Sequence, residues 1–147
     1  MNKVPRRFRI LFVSAALLGG VQGLMAASAG PAELRGTFSD ICVQPQTGDL
    51  LGTEVSFIPT PDGGVVLFQR AEGVLLKPVL LASRMSEPKR AEARGQSGVA
   101  FVVELKTPDE LVLQFKDGQV NRDGTAVATL QRRLPAWSGQ QKPPVCR

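Results

Sequence analysis

Two extended apolar runs, residues 55–59 and 65–69, flank Thr60-Pro61-Asp62-Gly63-Gly64. This predicts a β-hairpin, because proline presets φ near about −65°, aspartate bonds its own backbone and glycine accepts positive φ. Alternation of apolar and polar positions resumes at Val99, Phe101, Val103 and Leu105, and again at Leu111, Leu113 and Phe115. These predict two half-buried strands that meet at Thr107-Pro108-Asp109. Upstream, residues 34–43 read as a first strand, with Gly36 as a bulge or a point of close approach, and 44–49 as a loop. The hairpin arms run over 52–59 and 64–71, and Glu72-Gly73 reads as a tight reversal into a fourth strand over 74–83. Pro78 lies inside that run and cannot donate to a ladder, so the strand is an edge or is broken there.

Residues 84–95 are charged and poor in large apolar side chains, and read as a solvated excursion with at most a helical turn or two starting at Ser86-Glu87-Pro88. Asp117-Gly118 reads as a bulge or kink and Asn121-Arg122-Asp123-Gly124 as the true hairpin turn, since Gln119-Val120 alone is too short for a strand. A last strand over 125–134 closes the sheet. Residues 135–147 form a coil rich in proline, glycine and glutamine, held only if Cys146 ties it back. The fold class is all-β: a small antiparallel meander closing into a barrel-like sheet of about seven or eight strands. Short local connections favour the meander over a Greek-key sandwich.

Processing signals change this picture. Residues 1–29 have the layout of a secretory signal peptide: Lys3, Arg6, Arg7 and Arg9, an apolar segment, then Ala27-Ser28-Ala29 before Gly30. The apolar part is interrupted by Gly19-Gly20 and Gln22 and is shorter than a membrane span, so no stable membrane anchor is expected after cleavage. Arg6-Arg7 lacks the flanks of a twin-arginine signal, and no cysteine at the cleavage region offers a lipid acceptor. Residues 30–147 form one β domain, placed in the periplasm or secreted. Four of the 18 basic residues and none of the 13 acidic ones precede residue 30, which leaves 14 against 13. The basic balance therefore belongs to the leader, and no nucleic acid is expected as a partner.

Cys42 and Cys146 are the two cysteines. In an exported chain they are expected to pair as a disulfide; a zinc site or reactive thiol is the rival, and two cysteines without histidine do not complete a zinc shell. The chain has no histidine, which removes the common acid-base, triad and metal arrangements. No catalytic residue, metal or cofactor is expected. The leading reading is a non-catalytic binding or interaction domain with a protein or small ligand in the envelope as partner. An inhibitor of an envelope-directed enzyme, a lysozyme or a protease, is one form of it, by analogy with other small disulfide-linked barrels. A hydrolase using paired carboxylates is the alternative, and requires Asp49, Glu54 and Glu72 to converge. Arg132 and Arg133 should face opposite sides of the last strand, the inward one needing an acid such as Glu72 or Glu104. Trp137 reads as a plug for an open end of the core or as an interaction anchor.

Several fragments, TGDLLGTEVSFIPT (47–60), FQRAEG (68–73) followed by PVLL (78–81), FKDGQVNRDG (115–124) and LQRRLPAW (130–137), together resemble a family of small exported bacterial proteins of unknown function. That family carries a TGD-x-x-G-x-E segment, a Q-x-A-E-G turn, an F-x-G-x-(V/I)-x-x-DG segment and a terminal L-P-R-R-x-x-x-W. Asp49, Gly52, Glu54, Gln69, Glu72, Gly73, Arg132, Arg133 and Trp137 match its pattern. The resemblance implies that they share a site or a structural hub, and it implies no activity. The chain departs where Gln131 stands for a proline, where Asp117 is inserted, and in its cysteine pair and the tail beyond Trp137.

Overall fold

A computed structural model describes residues 34–60, 64–116 and 118–147. The expected leader, the Pro61–Gly63 part of the hairpin tip and the bulge expected at Asp117 lie outside the described residues. The strands are β1 Gly36–Ser39, β2 Cys42–Val43, β3 Leu50–Ile58, β4 Val65–Leu75, β5 Val79–Glu87, β6 Arg90–Gly95, β7 Gly98–Thr107, β8 Glu110–Phe115 and β9 Val127–Arg133. A 3-10 turn, Ala136–Ser138, follows the last of them. Strands β3 to β9 pair in sequence order and antiparallel, and β1 pairs with both β9 and β3, which closes an eight-stranded barrel. Closure removes the exposed sheet edges that invite aggregation. The ninth strand, β2, adds to β3 outside the closure.

The interior is filled. Phe38, Val55, Phe101, Leu111, Leu113 and Leu130 are buried completely, with Phe68 packed against Phe101 and Phe115. An eight-stranded barrel is just wide enough for side chains to fill it, and each such residue contributes roughly 1.5–3 kcal/mol by burial.

Three local expectations are corrected. The first strand is divided at Asp40-Ile41 into β1 and β2, although both keep one register against β3. The cause is Asp40, whose carboxylate accepts the Thr53 N–H at 2.5 Å in place of a regular ladder contact. Gly52 makes that approach possible: its φ is +125°, and a Cβ there would lie 2.7 Å from Asp40 Oδ1. Glu72-Gly73 does not reverse the chain, because β4 continues to Leu75 with Gly73 paired to Leu50. The run over 74–83 is broken at Pro78, one of the two outcomes expected of it: β4 ends at Leu75 and β5 starts at Val79, so the missing donor costs nothing.

Residues 84–95 are the largest departure. They complete β5 and form β6, a hairpin of the barrel wall in which Ala91 and Ala93 are buried in the core. Arg90-Ala91-Glu92-Ala93-Arg94 alternates with period two, and the small inward methyl groups accommodate the bulky Phe101 of β7, which faces Ala93. At the other side of the chain, β8 and β9 are joined by a loop holding both reversal signals, closed by Asn121 N–H to Thr125 C=O at 2.7 Å and Gly124 N–H to Asn121 C=O at 2.9 Å.

Candidate functional site

The disulfide between Cys42 and Cys146 forms, spanning 104 residues. It holds the tail against β2, where Val43 N–H donates to Pro144 C=O at 2.7 Å and Cys146 N–H donates to Val43 C=O at 2.9 Å. The tail therefore lies along the wall instead of hanging free.

The residues matched by the family pattern divide among three places. Glu54 and Gln69 are cross-strand neighbours on β3 and β4, both buried. Glu54 points out of the barrel, yet the tail covers it: the Ala136 N–H donates to its two oxygens at 2.9 and 3.2 Å. Burial pushes the Glu54 carboxyl up, and the Ala136 N–H and Ser39 hydroxyl hold it back. Arg133 lines the same space with Ser39 and Ile41, and only about 10 Å3 is left there, room for one water. Gln69 donates from Nε2 to Leu76 C=O at 2.8 Å and so pins the β4–β5 connection. These contacts fasten the tail and one connection to the outer wall.

Arg132 is at one end of the barrel. Its side chain faces inward, 4.5 Å from the centre of the Phe38 ring, donates from Nε to Pro108 C=O at 2.7 Å and from Nη1 to Arg35 C=O at 2.7 Å, and lies 3.5 Å from Asp109 Oδ1. The acid is thus Asp109, and not Glu72 or Glu104, which pair with Arg70 and Lys106. Arg132 supplies the lid expected of Trp137, which is 60% exposed on the 3-10 turn and plugs nothing. An apolar depression of about 190 Å3 between Phe57, Val65, Met85 and Pro88 flanks this end.

Glu72 is at the opposite end, three residues from Glu54 in the β3 register, about 10 Å along an extended chain. Asp49 lies near Gly73 on the same rim. Glu54, on the outer wall, lines the small space under the tail, whereas Glu72 lines a different cleft.

At that end the β8–β9 loop folds back as a polar stopper. Asn121 is 7% exposed and donates to Asp40 Oδ2 at 3.5 Å; Arg70 donates to Val120 C=O at 3.2 Å and pairs with Glu72 at 3.1 Å. Arg122 lies on the disulfide, with Nη1 against Cys42 Sγ and 3.5 Å from Cys146 Sγ. Among the described residues no carboxylate lies within 4.0 Å of it. Burial pushes the Asp40 carboxyl up, against the Thr53 N–H, the nearby Arg122 charge and Asn121.

Beside the stopper opens a cleft of about 380 Å3 lined by Leu51, Gly52, Arg70, Glu72, Asn121 and Arg122. A second hollow of about 320 Å3, between Gln44, Pro45, Arg122 and Arg147, adjoins it through Leu51 and Arg122. Of these residues the sequence pattern singled out Gly52 and Glu72. Arg70 stands between the matched Gln69 and Glu72, and Asn121 and Arg122 are inside a turn signal. Nothing in the pattern says that this turn folds inward. In comparisons with protein-family models, curated proteins and solved structures, none matched this chain.

Proposed function

We propose that this chain is an exported, non-catalytic binding domain of the family it resembles, with its recognition site at the disulfide-bearing end of the barrel. The observation that carries the reading is the contrast between a fully packed interior and a charged cleft about 380 Å3 in volume, within the range of small-ligand sites. A barrel whose core is Phe38, Phe101, Leu111, Leu113 and Leu130 has no internal chamber for a ligand, so recognition falls to an end or the outer wall. The absence of histidine from the chain supports binding over acid-base catalysis, and the disulfide fits an oxidising compartment, periplasmic or extracellular.

A panel of envelope metabolites and short peptides, added to the oxidised protein and followed by amide chemical shifts, tests this. Saturable shifts confined to residues 51–52, 70–72 and 121–122 support it. A panel that moves no resonance, together with no protein partner, sinks it.

Inhibition of a lysozyme or protease is a second reading, favoured by Leu134 and Trp137, exposed 51% and 60% within one short stretch of the tail. Exposed tryptophan is the usual anchor of a protein contact. Under this reading the protein inhibits such an enzyme at micromolar concentration, and Trp137→Ala weakens inhibition at least tenfold without unfolding the chain.

A further inference from the structure

We infer that the cleft at the disulfide end recognises a small carboxylic acid that carries a hydrogen-bond donor next to its carboxylate: an α-hydroxy or α-amino acid, or the last residue of a peptide. The inference rests on the binding reading and names the chemistry of its ligand.

Arg122 supplies the first half of that chemistry. Its guanidinium is exposed, faces the cleft and is held against the two sulfurs, which accept hydrogen bonds only weakly. Arg70, by contrast, already has Glu72 and Val120 C=O as partners. A guanidinium presents a planar fork of N–H donors that matches a carboxylate, and Arg122 is the one in this cleft whose fork meets no described carboxylate within 4.0 Å.

Asn121 supplies the second half. It is more than nine-tenths buried and lines the same cleft, and its Oδ1 has no hydrogen-bond partner. The amide orientation follows from its neighbour, because the Asp40 carboxylate accepts from Nδ2 and would repel Oδ1. Asp40 is fixed in turn by the Thr53 N–H. A buried acceptor left without a donor is costly, so the site favours a ligand that brings an O–H or N–H to it. Arg122 and Asn121 are neighbours in one turn and line one cleft, so a ligand that meets both carries its carboxylate and its donor close together. Glu72, at the rim, adds an acceptor that favours an ammonium or amide over a second acid group.

The experiment is a titration of the oxidised full chain with lactate, alanyl-alanine, propionate and lactamide, followed by the side-chain amide resonances of Asn121 and the backbone resonances of 70–72 and 121–122. Lactate carries both groups, propionate lacks the donor and lactamide lacks the charge; alanyl-alanine separates a peptide terminus from a free hydroxy acid. Lactate or the dipeptide should bind about tenfold or more tightly than propionate, with no saturable shift from lactamide. Arg122→Gln should remove that binding at least tenfold while Arg132→Gln, at the far end, leaves it intact. Lactamide binding as well as lactate, propionate equal to lactate, shifts mapped outside the cleft, an indifferent Arg122→Gln, or no shift from any of the four overturns the inference. In the last case the binding reading stands or falls separately, on the wider panel and on enzyme inhibition.

Discussion

The two ends of the barrel are each closed around an arginine, and the two arginines live differently. Arg132 has an aromatic face beneath it, two carbonyls as acceptors and Asp109 alongside. Arg122 rests on a disulfide at the mouth of a cleft. A cation placed this way is a structural part, because its hydrogen-bonding capacity serves the fold's own carbonyls. One whose fork meets only sulfur keeps that capacity for a ligand. Even the surroundings agree: Gly36, with φ of +81°, leaves room for Arg132, since a Cβ there would lie 2.9 Å from its Nη1. At the Arg122 end the room left over is open cleft.

The comparison is most easily broken by cutting the covalent tie. Replacing both Cys42 and Cys146 with serine should destabilise the fold by about 4–5 kcal/mol, the loop-entropy value for a closure of this length. Chemical denaturation of the oxidised protein and the double variant measures it. Hydrogen exchange adds the sharper test: protection should fall first along β2 and the tail, and amides around Arg132 should be lost only with the whole barrel. Simultaneous loss at both ends would mean that the ends are not independent.

Arg132→Ala comes next, at about 2–3 kcal/mol, from two lost charged hydrogen bonds and the Phe38 contact, less what water restores at a side chain one-third exposed. The loss should appear in the denaturation midpoint and leave ligand binding at the other end unchanged. A variant as stable as the parent would remove the structural role assigned to this residue.

The pattern of apolar positions was enough for the β class, the closing meander and the core strands at Phe101 and Leu113, because period-two burial is written directly in the residues. It failed at β6, where alanines bury as little area as a methyl group can and look like spacers between charges. It failed again at Glu72-Gly73, since a glycine with positive φ can sit inside a continuous ladder, as Gly73 does opposite Leu50, as well as in a turn. The site was less legible still. Arg132, Arg133 and Trp137 fall within six residues of sequence but belong to an end, a wall and the solvent. Arg122 shares its end with Arg70 only because the β8–β9 loop turns inward, a tertiary choice with no local signature.

Acidity distinguishes the ends further. Burial raises the Asp40 carboxyl above its ordinary 3.8, so the native state holds that proton more tightly than the unfolded chain does. Stability from this group is fully present below 3.8 and declines as pH rises through the raised value, then levels off. Asp40→Asn keeps an acceptor for the Thr53 N–H and carries no charge. Its stability relative to the parent should therefore increase with pH across that window and stay flat above it, by less than the Arg132 effect. Thermal unfolding of both proteins across acid pH reads it, and a parallel pair of curves would show that Asp40 is not held in the environment described.

The smallest stability change is the one that sharpens the comparison most. Arg122→Gln removes an exposed side chain whose contacts are two sulfurs, and should alter stability by no more than about 0.5 kcal/mol. Two small terms add: the weak contact with the disulfide is lost, and so is the Arg122 charge that lowers the Asp40 carboxyl, which makes Asp40 costlier to ionise. If Arg122→Gln were instead to cost as much as Arg132→Ala, Arg122 would be a second structural lid and its role in recognition would lose its basis. A near-neutral Arg122→Gln that has lost lactate binding, set beside a destabilised Arg132→Ala that retains it, would separate the end that holds the barrel shut from the end that meets a partner.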